Sequence, residues 1–262
     1  MRPLAALDAT TARSLEGLVT DLDDTVLDHG RLSLAAYAAL SAAAEAGFPV
    51  LVATGRPLGW ADVVARTWPV IGAVAENGAA AARREGARVE RWFRADEATR
   101  AARATRLAQL VAAVRVAFPE IALADDNPLR ATDATFDVGE TCRVPAARVR
   151  ELAQFARARG ARTTASSVHV HLSFEEDDKA SGALWFLRRA RGLDATRARA
   201  TWGFAGDSGN DASCFGAFRV TFGVANVAAH LGALSLPPRF VADAPMGEGF
   251  ARILTRILEL RR

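Results

Sequence analysis

Apolar residues along this chain fall into two rhythms, short unbroken runs and helical repeats, and the two alternate from near the N-terminus. Leu18 and Val19 after Gly17 begin a short buried strand that meets Asp21, Asp23 and Asp24 at its far end. Ser33 caps a helix in which Leu34, Tyr37 and Leu40 recur at helical spacing and which ends near Gly47. Residues 48–53 form a second buried strand closing on Thr54-Gly55-Arg56-Pro57, and Pro57 suits the first position of the next helix. A third unit runs through residues 70–75 to Glu76-Asn77-Gly78. Strands joined by helical crossovers predict a parallel, doubly wound sheet, where ligands bind at the carboxyl ends of the strands.

The rhythm changes after Gly78. Residues 79–93 read as a hairpin turning near Glu85-Gly86, followed by a long helix from Asp96 to about Phe118 with Leu107, Leu110, Val111 and Val114 as its apolar stripe. A strand is expected at 135–138, a helix at 145–159, and strands at 161–165 and 168–174. This mixture predicts an α+β layer, read as a second domain (80–174) inserted into a core of 1–79 and 175–262. The wound sheet then resumes. Asp178 caps a helix from Lys179 through Leu184 and Leu187; a strand at 201–206 ends on Asp207-Ser208-Gly209-Asn210-Asp211. Further strands at 219–224 and 239–241 precede an amphipathic helix marked by Ile253, Leu254, Ile257 and Leu258.

Composition narrows the class. A chain of 262 residues, 50% hydrophobic, can bury a large core, which excludes disorder as its main state. Two cysteines, Cys142 and Cys214, supply neither a disulfide framework nor a metal-ligand spacing, so a reducing cytoplasm is expected. No signal peptide or membrane span is read. The net charge of +3 comes from basic residues scattered along helices, with no dense tract, so a small anionic substrate is expected and not nucleic acid. Of 33 Lys+Arg, Lys179 alone is lysine, a compact ammonium where a guanidinium fork would not fit.

The candidate chemistry starts at the first strand. Three carboxylates in four positions beside a core need a cation, a shared proton or a solvated turn. Asp21 and Asp23, two apart in an extended chain, leave on one side, which suits a hard ion with oxygen ligands, Mg2+ above all. Bland readings stand beside the sharp ones. Lys179 reads also as a solvated first-turn residue, Thr54 as a turn residue, and Asp207 with Asp211 as a helix cap and first-turn acid. His169 and His171 share one face of a strand and either reach a substrate or form a satisfied pair; no third ligand makes them a zinc site. Arg56 is either a phosphate contact or an ion-pair partner, and Asp125, Asp126 and Arg130 read as solvated loop.

The ordered set Asp21-Leu22-Asp23-Asp24-Thr25, Thr54-Gly55-Arg56, Lys179, and Gly206-Asp207-Ser208-Gly209-Asn210-Asp211 resembles the four motifs of the haloacid dehalogenase superfamily. The insert between the second and third motifs resembles the C2B cap of its type IIB branch, shared by Cof-like sugar phosphatases, sucrose-phosphate phosphatase and mannosyl-3-phosphoglycerate phosphatase; Glu76-Asn77-Gly78-Ala79 matches a phrase common there. The resemblance implies a Mg2+-dependent phosphatase acting on a small phosphorylated metabolite. Asp21 would be the nucleophile giving an aspartyl-phosphate, and Asp23 the general acid and base. Asp21, Asp207, Asp211 and the Asp23 carbonyl would hold the metal; Thr54 and Lys179 would bind phosphate, and Asn210 would orient Lys179. Many members have Gly where this chain has Asp24, whose side chain is then expected to point away from the phosphate. Rival readings are a phosphomutase or phosphotransferase, and a non-catalytic sugar-phosphate sensor on the same fold.

Overall fold

Burial of the short apolar runs assembles the main sheet. The computed structural model describes residues 1–165 and 168–262. It opens with β1 (Arg2–Pro3) and α1 (Ala9–Arg13), which the apolar pattern does not define. Next come β2 (Gly17–Thr20), a small hairpin of β3 (Leu27–Asp28) and β4 (Arg31–Leu32), and α2 (Leu34–Glu45), where the Ser33 hydroxyl oxygen accepts from the Ala36 amide. They are followed by β5 (Val50–Ala53), α3 (Leu58–Thr67), β6 (Ala73–Ala75), β7 (Ala80–Glu85) and β8 (Arg88–Phe93). Pro57 is the cap of α3 and not its first residue, so the helix begins one residue later than expected.

The insert holds α4 (Glu97–Ala117), β9 (Asp133–Asp137), α5 (Ala146–Arg157), β10 (Arg162–Ala165) and β11 (His169–Ser173). The chain returns through α6 (Lys179–Arg191), α7 (Ala195–Thr201), β12 (Trp202–Gly206), α8 (Ala212–Ala217), β13 (Val220–Gly223), β14 (Phe240–Val241) and α9 (Met246–Arg261).

The main sheet runs β1-β14-β13-β12-β2-β5-β6-β7-β8 and is parallel as far as β6. Leu18 packs into the apolar layer with Leu40, Phe250 and Ile253, while Val19 packs into the opposite layer with Phe186, Phe204 and Phe215. A strand covered on both faces needs no polar alternation, which is why β2, β5 and β12 read as unbroken apolar runs. The insert forms its own antiparallel sheet, β10-β11-β9, whose Phe136, Val170 and Leu172 meet Leu110 and Val114 of α4 and Leu152 and Ala156 of α5.

One element sits elsewhere than its sequence suggests. The β7–β8 hairpin, expected in the insert, extends the main sheet antiparallel, with Ala81 opposite Val74 and Phe93 opposite Ala80. Four consecutive buried alanines, 79–82, carry too little side chain to declare a layer, and backbone pairing with β6 decides it.

Glu76, at the turn after β6, ties the insert to the core. Its buried carboxylate accepts hydrogen bonds from the amides of Leu58 (2.9 Å), Ala131 (2.9 Å), Thr132 (2.6 Å) and Asp133 (3.2 Å), and from the Thr132 hydroxyl (2.6 Å). Burial and the neighbouring Asp133 push its pKa up, against those donors. Glu76→Gln, whose NH2 would confront N–H donors, is expected to lower stability by about 2–3 kcal/mol. An unchanged denaturation midpoint would contradict this role.

Candidate active site

Three neighbouring parallel strands deliver the site. Asp21, Thr54 and Asp207 each follow the last residue of one of them, β2, β5 and β12, at the same edge of the sheet. The Asp21 amide donates to Ala205 O at 2.9 Å and the Thr54 amide to Val74 O at 2.9 Å, so both backbones are fixed by the neighbouring strands. Lys179 arrives from the first turn of α6. That helix start fits because Gly78 and Gly182 let two backbones touch: a Cβ on Gly182 would lie 2.3 Å from Gly78 Cα, and Gly78 itself has φ +109°.

The Lys179 side chain is 1% exposed, and its ammonium donates to Asp21 Oδ1 at 2.6 Å and Asp211 Oδ1 at 2.8 Å. Asp211 Oδ2 accepts from the amides of Asp207 (2.9 Å) and Ser208 (3.2 Å), so both its oxygens are engaged. Asp207 accepts from the Thr25 hydroxyl at 3.3 Å and from the Asn226 side-chain amide at 3.0 Å. Asn210 does not meet the ammonium: its Oδ1 accepts from the Ser208 hydroxyl at 2.9 Å. The orienting of Lys179 expected of Asn210 therefore falls to Asp211, because the short helical turn 209–211 aims Asp211 inward.

Oxygens of Asp21, Asp207 and Asp211, all buried, lie within 4.8 Å of one another. Three carboxylates against one ammonium leave two negative charges uncompensated. Burial, then Asp211, pushes the Asp21 pKa well above the ordinary carboxylate value, with Lys179 opposing. The same causes, with Asp24 adding to them, push Asp207 up to about 7. For Lys179, burial alone would lower the pKa, but Asp21 and Asp211 outweigh it and hold the ammonium charged. Such a deficit, in an all-oxygen setting, fits a hard divalent cation.

Around this centre the remaining candidates divide. Asp23 is met by Arg56, whose Nε donates to both carboxylate oxygens at 3.0 and 3.1 Å. The buried Thr54 hydroxyl oxygen accepts from the Arg56 amide at 3.0 Å, leaving its own proton to donate. His171 Nδ1 lies 3.0 Å from both Asp133 Oδ2 and Thr135 Oγ1, and His169 Nε2 lies 2.7 Å from Glu140 Oε2. Asp126 and Arg130, expected in solvent, are buried instead. Arg130 donates to Asp126, Asp133 and the Gly55 carbonyl, which packs this loop onto the core. Asp125 is exposed, as read.

Residues 18–108 match the family model described as haloacid dehalogenase-like hydrolase. Solved structures extend the likeness to both layers. A Thermoplasma acidophilum protein is 20% identical with TM-score 0.69, covering 94% of this chain and 99% of its own. The Synechocystis sucrose-phosphatase, solved with sucrose and phosphate, is 15% identical with TM-score 0.66, covering 94% and 98%. A phosphatase of this superfamily from Bacteroides thetaiotaomicron is 18% identical with TM-score 0.61, covering 93% and 95%. The likeness is thus to a haloacid dehalogenase-like hydrolase over residues 18–108, and in fold over nearly the whole chain. No curated protein matches the chain.

Asp24 has φ +52°, the left-handed region that glycine enters freely, which is why a glycine suits the place. Its half-exposed carboxylate lies 3.7 Å from His29 Nδ1 on the β3–β4 turn. Asn226 and Thr25, which steady Asp207, carry no role in the sequence reading. Asn226 stands just past the end of β13, the same edge as Asp21 and Asp207, and that position was the available signal.

A cavity of about 440 Å³ opens over these carboxylates, lined by Asp21, Asp23, Arg56, Glu140 and Asp207 among others. The chain has four histidines, and His29, His169, His171 and His230 all line this one space. A larger groove, about 900 Å³ between α2 and α9, is walled mainly by alanines and by the Arg252 ion pairs with Asp243 and Glu248, so the chemistry gathers in the smaller one. Among the described residues no helix is long and apolar enough to cross a membrane.

The raised Asp207 pKa has a testable consequence. Between about pH 4 and 7 the metal-free native state binds more protons than the unfolded chain, so the stability linked to Asp207 is present at the acid end and lost as pH rises. Measured against Asp207→Asn, metal-free protein is expected to lose about 2–4 kcal/mol from pH 5 to 8. A divalent cation bound by the native state alone should remove most of that loss. Parallel melting curves for the two proteins would refute the assignment.

Proposed function

We propose that the protein is a Mg2+-dependent phosphatase that hydrolyses a small phosphate monoester, with a sugar phosphate as the expected class and the insert as its cap. The observation carrying this reading is the buried trio Asp21, Asp207 and Asp211, with the ammonium of Lys179 on Asp21 and Asp211, of which Asp21 and Asp207 line a cavity between core and insert. Asp21 and Asp207, with the Asp23 carbonyl and with Asp211 at one remove, would hold Mg2+. When bound, the ion offsets charge on the phosphoryl oxygens.

The chain's own residues do the rest. An Asp21 oxygen attacks phosphorus, the ester P–O bond breaks, and Asp23 gives its proton to the departing alcohol oxygen. Asp23, now a carboxylate, takes a proton from water; that water attacks the aspartyl-phosphate, and inorganic phosphate leaves with Asp21 restored. Lys179 stays charged throughout beside Asp21 and steadies the phosphoryl group. Thr54 supplies a hydroxyl donor at the adjacent strand end. The sugar class draws on the likeness to a sucrose-phosphatase and on the carboxylates and imidazoles lining the cavity, which can bind hydroxyl groups. A cytoplasmic setting agrees with two free cysteines, Cys142 exposed and Cys214 buried.

The test is a phosphate-release screen over sugar phosphates, with Mg2+ present and then chelated. Turnover of at least one ester, lost on chelation, is expected. Inertness toward every ester would overturn the reading.

A further inference from the structure

The Asp23 carboxylate has its described hydrogen bonds from one source, Arg56, and Arg56 does not end there. Its Nη2 lies 2.9 Å from Asp23 Oδ1 on one side and 3.9 Å from Glu140 Oε1 on the other, while Nη1 lies 3.7 Å from Asp126 Oδ2. Asp23 belongs to the core, and Asp126 and Glu140 to the insert. Glu140 is in turn 2.7 Å from His169. One guanidinium thus spans the seam between the layers.

Everything near this guanidinium holds it in place. The Arg56 amide donates to the Thr54 hydroxyl oxygen, and its carbonyl accepts from the Glu76 amide at 3.0 Å. The guanidinium carbon lies 4.8 Å from the Trp60 ring centre, in the range of cation–π contact. A planar fork fixed in this way can set the direction of a carboxylate, which a flexible ammonium cannot. Asp23 itself is 39% exposed at the cavity wall, so no packing sets its rotamer. Besides Trp60 the guanidinium meets the carboxylates of Asp23, Glu140 and Asp126, and it stays charged: burial opposes the charge, but these carboxylates outweigh it.

We infer that Arg56 is a positioning residue that aims Asp23 at the ester oxygen, and that Glu140 and Asp126 couple its aim to the seating of the insert. This rests on Asp23 serving as general acid in the proposed phosphatase. Movement of the insert away from the core would strip two carboxylates from the guanidinium, leaving Asp23 with a partner free to rotate. A correctly aimed proton donor is worth about 10²–10⁴-fold to a departing alkoxide and little to a leaving group that departs as a stable anion.

The experiment compares two probes in single turnovers with Mg2+, glucose 6-phosphate and p-nitrophenyl phosphate, following release of the first product. Arg56→Gln is expected to slow release of glucose about 100-fold and of nitrophenolate less than about fivefold. Glu140→Gln should slow glucose release alone, by about tenfold. Equal slowing of both products by Arg56→Gln would make Arg56 a general structural or binding residue and overturn the inference. No effect of Glu140→Gln on glucose release would overturn the coupling to the insert. A wild type that releases neither product, and that is inert toward every ester of the screen above, would instead defeat the phosphatase reading itself, and the inference with it. Crystals of Arg56→Gln supply the readout independent of turnover: the Asp23 carboxylate should leave the orientation it has here, and an unmoved Asp23 contradicts the inference.

Discussion

Asp21→Asn is expected to reduce phosphate release by at least about 10⁴-fold, the scale on which removal of a covalent nucleophile is felt. The loss should come without unfolding. Asp21 is one of three buried carboxylates sharing a single ammonium, so a neutral amide of the same shape relieves repulsion with Asp211 and Asp207. The melting midpoint of the metal-free variant is therefore expected at or above that of the wild type. A variant that kept a tenth of the activity would mean that Asp21 does not take up the phosphoryl group. A variant that was inert and also unfolded would mean that the carboxylate is needed for the fold, contrary to the charge balance described above.

Lys179→Met should do the opposite to the fold. Removing the ammonium leaves Asp21 and Asp211 facing one another at full burial, and breaking one side of such a pair costs about 3–5 kcal/mol. In the proposed reaction activity should fall as well, by about 10³-fold, since the ammonium there steadies the phosphoryl oxygens. Lys179→Arg is expected to rescue neither property. The lysine side chain is 1% exposed and its nitrogen sits 2.6 and 2.8 Å from two different carboxylates, where a planar fork has no room. Chemical denaturation of the two variants without metal, beside their turnover with Mg2+, checks both statements; recovery in the arginine variant would contradict the fit.

Much of this site was legible because its parts obey short-range rules. Asp21 and Asp207 each close a run of apolar residues, and in a parallel sheet covered on both faces a strand end is a place the chain cannot disguise. Lys179 follows a capping residue, Asp178, whose side chain accepts from the Ser181 amide, and a cap marks a helix start in any context. Legibility failed where packing overrides local character. Asp126 and Arg130 look like solvated loop because charged residues close in sequence usually are. Here Arg130 pairs with both Asp126 and Asp133, and it finds the carbonyl of Gly55, a partner 75 residues away.

The other omissions have the same origin. Asn226 is one amide in an ordinary stretch, and its value lies in reaching Asp207 and the Asp24 carbonyl across the sheet edge. The α7 helix has a single buried residue, Ala198, so no apolar stripe announces it; its Asp194 cap was the only local cue. The hairpin of β7 and β8 joins the main sheet and not the insert, and its alanines, which pack against anything, give no sign of it.

The central claim is that phosphate passes through Asp21. Incubation with a phosphate ester and Mg2+, acid quenching, and reduction with borohydride convert an aspartyl-phosphate to homoserine, which peptide mass spectrometry locates by residue. Homoserine is expected at position 21 and at no other aspartate. Conversion at another residue, or turnover that leaves every aspartate unreduced, would contradict it.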